Sequence, residues 1–120
     1  MSFEIYISNS FRKQAKRLIR KYPSLKSELH DLEGLLSKKH DYGTPLGKGC
    51  FKIRLGVSSK GRGKSGGVRV ITWLLIRIDK LSNKSTLINL ISIFDKSEFE
   101  TISDKDLGEL IKQIQSELKI

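Results

Sequence analysis

Cysteine, histidine and proline are the scarce residues of this 120-residue chain: it has one Cys, two His and two Pro. Cys50 has no second cysteine to pair with, so the fold must stand without an internal disulfide. One cysteine and two isolated histidines make no zinc-ligand set, and no metal or other cofactor is expected. His30 sits beside Leu29 in a helical stretch and His40 beside Asp41 in a loop. Neither has a nucleophile partner that would build a Ser-His or Cys-His pair. Long apolar runs are missing too. The longest, Val70 to Ile78, is interrupted by Thr72 and Arg77 and is too short to span a bilayer. The opening MSFEIYIS has neither the basic start nor the apolar stretch of a secretory signal, so a cytoplasmic protein without a membrane partner is expected. No repeat or linker divides the chain, which reads as a single domain, 1–120, with enough residues for a modest core.

Acids are scarce over one stretch in particular. Residues 50–80 contain eight lysines and arginines against the single Asp79, so this segment carries +7 of the formal net charge of +10. Within it, Phe51, Ile53, Leu55 and Val57 alternate with Lys52, Arg54 and Ser58, the two-residue period of a strand with one apolar and one cationic face. SSKGRGKSGG follows, a loop of four glycines and three cations, and then a second apolar run from Val68 that carries Arg69 and Arg77. Such a hairpin calls for a polyanionic partner: nucleic acid, a ribosome or an acidic protein.

The remaining chain supplies the frame. Phe3 to Ser8 alternates as a short half-buried strand, and Asn9 or Ser10 can cap the helix after it. In that helix Phe11, Ala15, Leu18, Ile19 and Tyr22 recur at helical spacing, with Arg12, Lys13, Lys16, Arg17, Arg20 and Lys21 opposite. Pro23 ends the first helix and opens a second with a stripe of Leu25, Leu29, Leu32, Leu35 and Leu36. Two helices with almost no loop between them predict a helical hairpin. HDYGTPLGKG, residues 40–49, reads as a loop. Thr86 to Asp95 is a strand apolar enough to be buried on both faces, and Ser103 opens a final helix with capping-box spacing. The expected order is β-α-α-β-β-β-α, an α+β fold with a small antiparallel sheet, an N-terminal helical hairpin and a C-terminal helix, the helices packed on one side.

GRGKSGG imitates a phosphate-binding loop without meeting its pattern. No glycine stands at the required spacing before Gly63, and a strand rather than a helix follows. The chemistry-bearing group is therefore the sheet cations. Lys52 and Arg54 point the same way, Arg69 joins them if the hairpin register is favourable, and Lys96 follows the last strand. Arginines hold phosphates by paired hydrogen bonds and can stabilise charge developing in phosphoryl transfer. Crowded cations lower one another's pKa, which makes a lysine a feasible proton acceptor. Lys60, Arg62, Lys64 and Arg77 extend the same charge. On residues alone, a cationic binding surface without chemistry is the simpler reading.

Three segments resemble the RelE/ParE superfamily of toxins from bacterial toxin–antitoxin pairs, in particular a HigB-like subgroup: FRKQAKRLIRKYPSLKSEL, FKIRLGVSSKGRGKSGGVRVIT and IFDKSEFETISDKDLGELI. The resemblance implies a RelE/ParE-like fold and a ribosome-dependent endoribonuclease that cuts mRNA by attack of the RNA 2′-hydroxyl, without metal. By motif position it implies catalytic roles for Lys52, Arg54, Arg69 and Lys96, and RNA contacts for Lys60, Arg62, Lys64 and Arg77. The implied partners are a cognate antitoxin protein and the ribosome with its mRNA. Two departures stand out. Phe99 is the nearby aromatic where relatives often carry a tyrosine, and the GRGKSGG loop is longer than the short turn of RelE members. Glu98 is a possible substitute for the missing hydroxyl. Two alternatives remain open: a ParE-like gyrase poison that cuts no RNA, and an inactive cationic binding module.

Overall fold

Nine residues in a row, Leu87 to Asp95, are buried in the computed structural model, which describes residues 2–60, 67–99 and 101–120. A strand without an exposed face belongs inside a sheet covered on both sides. That strand, β5 (Lys84–Asp95), lies between β1 (Ser2–Ile7) and β4 (Val68–Ile78) in a five-stranded sheet. Beyond β4 come β3 (Cys50–Leu55) and, at the edge, β2 (Thr44–Gly47), giving the order β1-β5-β4-β3-β2. Helices α1 (Asn9–Lys21) and α2 (Leu25–Lys38) follow β1, and α3 (Asp104–Leu118) ends the chain. The fold is α+β, as expected, and β3, β4 and β5 run antiparallel.

Three expectations need correction. The sheet is mixed rather than antiparallel, because β1 pairs in parallel with β5 from Ser2↔Ser85 to Ile7↔Leu90. The order gains a strand, β2, inside the stretch read as a loop. Gly47, Lys48 and Gly49 all adopt positive φ there (85°, 56° and 79°), turning the chain tightly into β3. Pro45 is tolerated because β2 is an edge strand. The helices also cover both faces instead of one. Leu18, Leu25, Leu32 and Leu36 pack with Ile53, Val68, Val70 and Ile88 on one side of the sheet. Leu107 and Ile114 of α3 pack with Cys50, Ile71, Trp73, Ile91 and Phe94 on the other.

Hydroxyl caps set the entry to α1 and α3. Ser8, rather than Asn9 or Ser10, caps α1, its Oγ accepting from the N–H of Phe11 at 3.0 Å. Ser103 caps α3 as its sequence suggests, accepting from the N–H of Asp106 at 3.1 Å. Among the described residues, no helix is long and apolar enough to cross a membrane.

Two of the described glycines are required by geometry: at Gly67 a Cβ would collide with the Leu55 carbonyl oxygen, and Gly43 has no room either. At Gly43, where φ is +115°, a Cβ would stand 2.6 Å from the carbonyl oxygen of Lys52 and 2.9 Å from Ile53 Cγ1. Gly43→Ala is therefore expected to cost about 1–3 kcal/mol. The urea midpoint should fall with an unchanged slope, because only the native state is strained.

Candidate functional site

The β3–β4 register decides which cations meet. Arg54 lies directly opposite Arg69, and Lys52 opposite Ile71, while Ile53 pairs with Val70 on the face packed under α1 and α2. Alternation then places Lys52, Arg54 and Arg69 together on the other face, which α3 partly covers. Facing residues at such a pairing have Cα atoms about 4.5–5.5 Å apart, close enough for like charges to repel. The three residues differ in access. Arg54 is exposed and Lys52 half-buried, whereas Arg69 retains 4% of its surface and donates from Nη1 to the Val68 carbonyl at 3.3 Å. Among the described residues neither Lys52 nor Arg54 forms an ion pair.

Beside Arg69 across the sheet lies Phe94, whose ring meets Phe99 edge to face at 5.5 Å between centroids. Lys96 stands one residue past β5 at the same end, half-buried, its N–H donating to the Gly67 carbonyl at 3.3 Å. A cleft of about 290 Å³ opens next to this aromatic pair, between Gln14 of α1, Ser92 of β5, and Asp106 and Gln113 of α3. Gln14 Oε1 accepts from the Ile93 N–H (3.1 Å), which fixes the amide's orientation at the cleft wall.

Of the other expected RNA contacts, the two that the structure describes, Lys60 and Arg77, do not join this group. Arg77 shares the face of Arg69 but stands eight residues further along β4, about 26 Å away, within 3.9 Å of Glu4. Lys60, in a single 3₁₀ turn (Ser58–Lys60), belongs to the opposite face, where its Nζ lies 2.6 Å from Asp95 Oδ1. Arg62 and Lys64 lie outside the described residues. Glu98, the suggested substitute for a tyrosine, is held by Arg17 at 3.0 Å and accepts from the Asp95 N–H at 3.2 Å, which makes it a turn-binding carboxylate.

The Asp95 node is absent from the sequence reading. Its carboxylate, 2% exposed, accepts from Lys60 Nζ, from Tyr22 Oη at 2.7 Å and from the Ser97 N–H at 3.1 Å. Burial alone would raise its pKa, but the hydrogen bonds from Lys60, Tyr22 and Ser97 outweigh that and hold it well below the usual carboxylate range. Lys60 Nζ also lies 3.4 Å from the Gly67 carbonyl, so the two residues flanking 61–66 are tied together. Ser24, Ser59 and Glu28 bind the 3₁₀ turn to the start of α2, with Glu28 accepting from the Ser58 N–H at 2.8 Å and Ser24 Oγ from the Ser59 N–H at 2.9 Å. The signal available in the sequence was an aspartate ending a strand expected to be buried on both faces.

Cys50 offers no nucleophile. It is 1% exposed, and burial pushes its thiol up to about 11, with Lys48 opposing weakly. Among the described residues, no group of three His, Cys, Asp or Glu gathers where it could hold a metal. Comparison with protein-family models, with curated proteins and with solved structures returns no match.

Proposed function

We propose that this chain is a RelE/ParE-like toxin of the HigB-like kind: a ribosome-dependent mRNA endoribonuclease, kept inactive by a cognate antitoxin protein. The observation that carries the reading is the β3–β4 register, which pairs Arg54 with Arg69 and sets Lys52 beside them on one sheet face. That face lies within a segment carrying +7 of the chain's +10. A sheet face tolerates directly opposed cations at a cost, which a bound phosphodiester offsets.

In the proposed reaction the ribose 2′-oxygen forms a bond to the adjacent phosphorus, and the bond to the 5′-oxygen breaks. The products carry a 2′,3′-cyclic phosphate and a 5′-hydroxyl. Negative charge builds on the non-bridging oxygens in the transition state, where guanidinium donors act most strongly. Arg54, exposed, contacts the phosphate directly. Arg69, held from beneath, fixes the local field. The 2′-hydroxyl proton needs an acceptor; a guanidinium has no acceptor site, so that role is assigned to the side-chain nitrogen of Lys52 or Lys96. As it leaves, the 5′-oxygen takes a proton back from that lysine, so no net proton is gained or lost by the protein. The basic balance of the chain also suits an acidic antitoxin laid over this face.

Purified protein added to a translation reaction tests the reading, with mRNA 5′ ends mapped by primer extension and a ribosome-free control. Cuts inside translated codons that require ribosomes and Arg54 are expected. Intact mRNA at concentrations that still arrest cells would overturn the reading and direct attention to gyrase supercoiling.

A further inference from the structure

The far end of the β4–β5 hairpin is unusual for its apolar surface. Ile76 and Ile78 are each 63% exposed and Leu81 81%. The face they occupy continues the core. Leu74, two residues before Ile76, packs against the layer under α1 and α2. The register then places Phe3, Thr86 and Ile76 in one row across three strands, with Ile78 beside Lys84 in the next. Phe3 is itself 38% exposed. The helices stop short of these rows, leaving an apolar step of the sort that marks an interaction site.

The same stretch is an open edge. Pairing of β3 with β4 ends at Cys50↔Trp73, and the last bond across is the Leu74 N–H to the Gly49 carbonyl at 3.0 Å. Antiparallel strands present alternate residues to each side, so the N–H and C=O of Ile76 and Ile78 face outward, past the end of β3. An unpaired edge flanked by exposed isoleucines is a template for another strand.

Charge selects the occupant. Lys48, Arg77, Lys80 and Lys84 surround the edge and are exposed. The two nearby acids are engaged: Asp79 accepts from the N–H groups of Leu81 (2.8 Å) and Asn83 (2.9 Å), and Glu4 lies 3.9 Å from Arg77. Arg77 points to the opposite face from Ile76 and Ile78. An added strand would therefore set apolar side chains beside the isoleucines and acidic ones beside Arg77.

We propose that the β4 edge from Leu75 to Ile78 is a docking site for an extended segment of a partner protein, with alternating apolar and acidic residues, that joins the sheet as an added strand. The site lies at the opposite end of β4 from Arg69 and does not rest on the proposed RNA chemistry.

The test uses the full chain and a short labelled peptide alternating valine with glutamate, set against its valine–lysine counterpart. The glutamate peptide is expected to bind at least about ten-fold more tightly and to slow amide exchange at Ile76 and Ile78. The double variant Ile76→Glu, Ile78→Glu should lose that binding. Ile78→Pro, which removes an outward N–H and keeps an apolar residue, should weaken it while melting near wild type. Equal binding of the two peptides, or unprotected amides at Ile76 and Ile78, would overturn the proposal. So would a concentration-dependent dimer, or binding to phosphatidylglycerol vesicles, that the double variant abolishes. Those outcomes would assign the face to a second copy or to a lipid surface.

Discussion

Asp95→Ala is expected to cost about 3 kcal/mol of folding stability, near the lower end for breaking a buried ion pair. The substitution removes the acceptor of the Tyr22 hydroxyl and the carboxylate partner of the Lys60 ammonium, whose side chain is 11% exposed and which keeps the Gly67 carbonyl at 3.4 Å. Lys60 can move partly toward water on its long stem, which is why the upper end of the range is not reached. For a chain of this size the melting temperature should fall by roughly 10–15 °C, read by calorimetry or circular dichroism. The pH dependence gives an independent signature. The folded-state pKa of Asp95 lies below its unfolded value, so its contribution is fully present above the ordinary carboxylate pKa of about 3.9. It is lost as pH falls below that value toward the folded pKa. Asp95→Asn should therefore flatten the acid limb of the stability profile below about pH 4. An acid limb as steep as wild type would remove Asp95 from that role.

What the sequence made legible is local. The alternation of Phe51 to Val57 suffices to set Lys52 and Arg54 on one face, because a strand's period is two whatever surrounds it. The meeting of Arg54 with Arg69 follows once the two strands pair, and their register obeys the burial of Ile53 and Val70. Contacts between distant residues leave no such trace. Parallel pairing of β1 with β5 joins residues some 83 positions apart, such as Ser2 and Ser85, and the Lys60–Asp95 pair spans 35 positions. β2 was hidden by its own residues, since proline and flanking glycines are as common in loops as at sheet edges. The placement of α3 was within reach. A strand buried on both faces needs cover on both, which excludes a helical layer confined to one.

Arg54→Ala is expected to reduce ribosome-dependent mRNA cleavage by about 10²–10³-fold, the loss typical of removing one donor to a developing oxyanion, while leaving the melting temperature near wild type. Arg54 is exposed and, among the described residues, forms no ion pair, so its stability cost should stay within about 0.5 kcal/mol. That separation makes it the discriminating variant. Arg69 is 4% exposed and bonded within the protein, so Arg69→Ala should lose stability and cleavage together and cannot by itself distinguish a catalytic cation from a structural one. Arg54→Lys keeps the charge and loses the planar pair of donors; an intermediate rate would show that the geometry of the guanidinium matters as well as its sign. The affinity of the alanine variant for ribosome-bound mRNA should also depend less steeply on salt, by about one unit in the log–log slope, for the single phosphate contact removed. Wild-type cleavage by a folded Arg54→Ala protein would move the chemistry off this sheet face, whereas loss of cleavage with an unchanged melt would place it there.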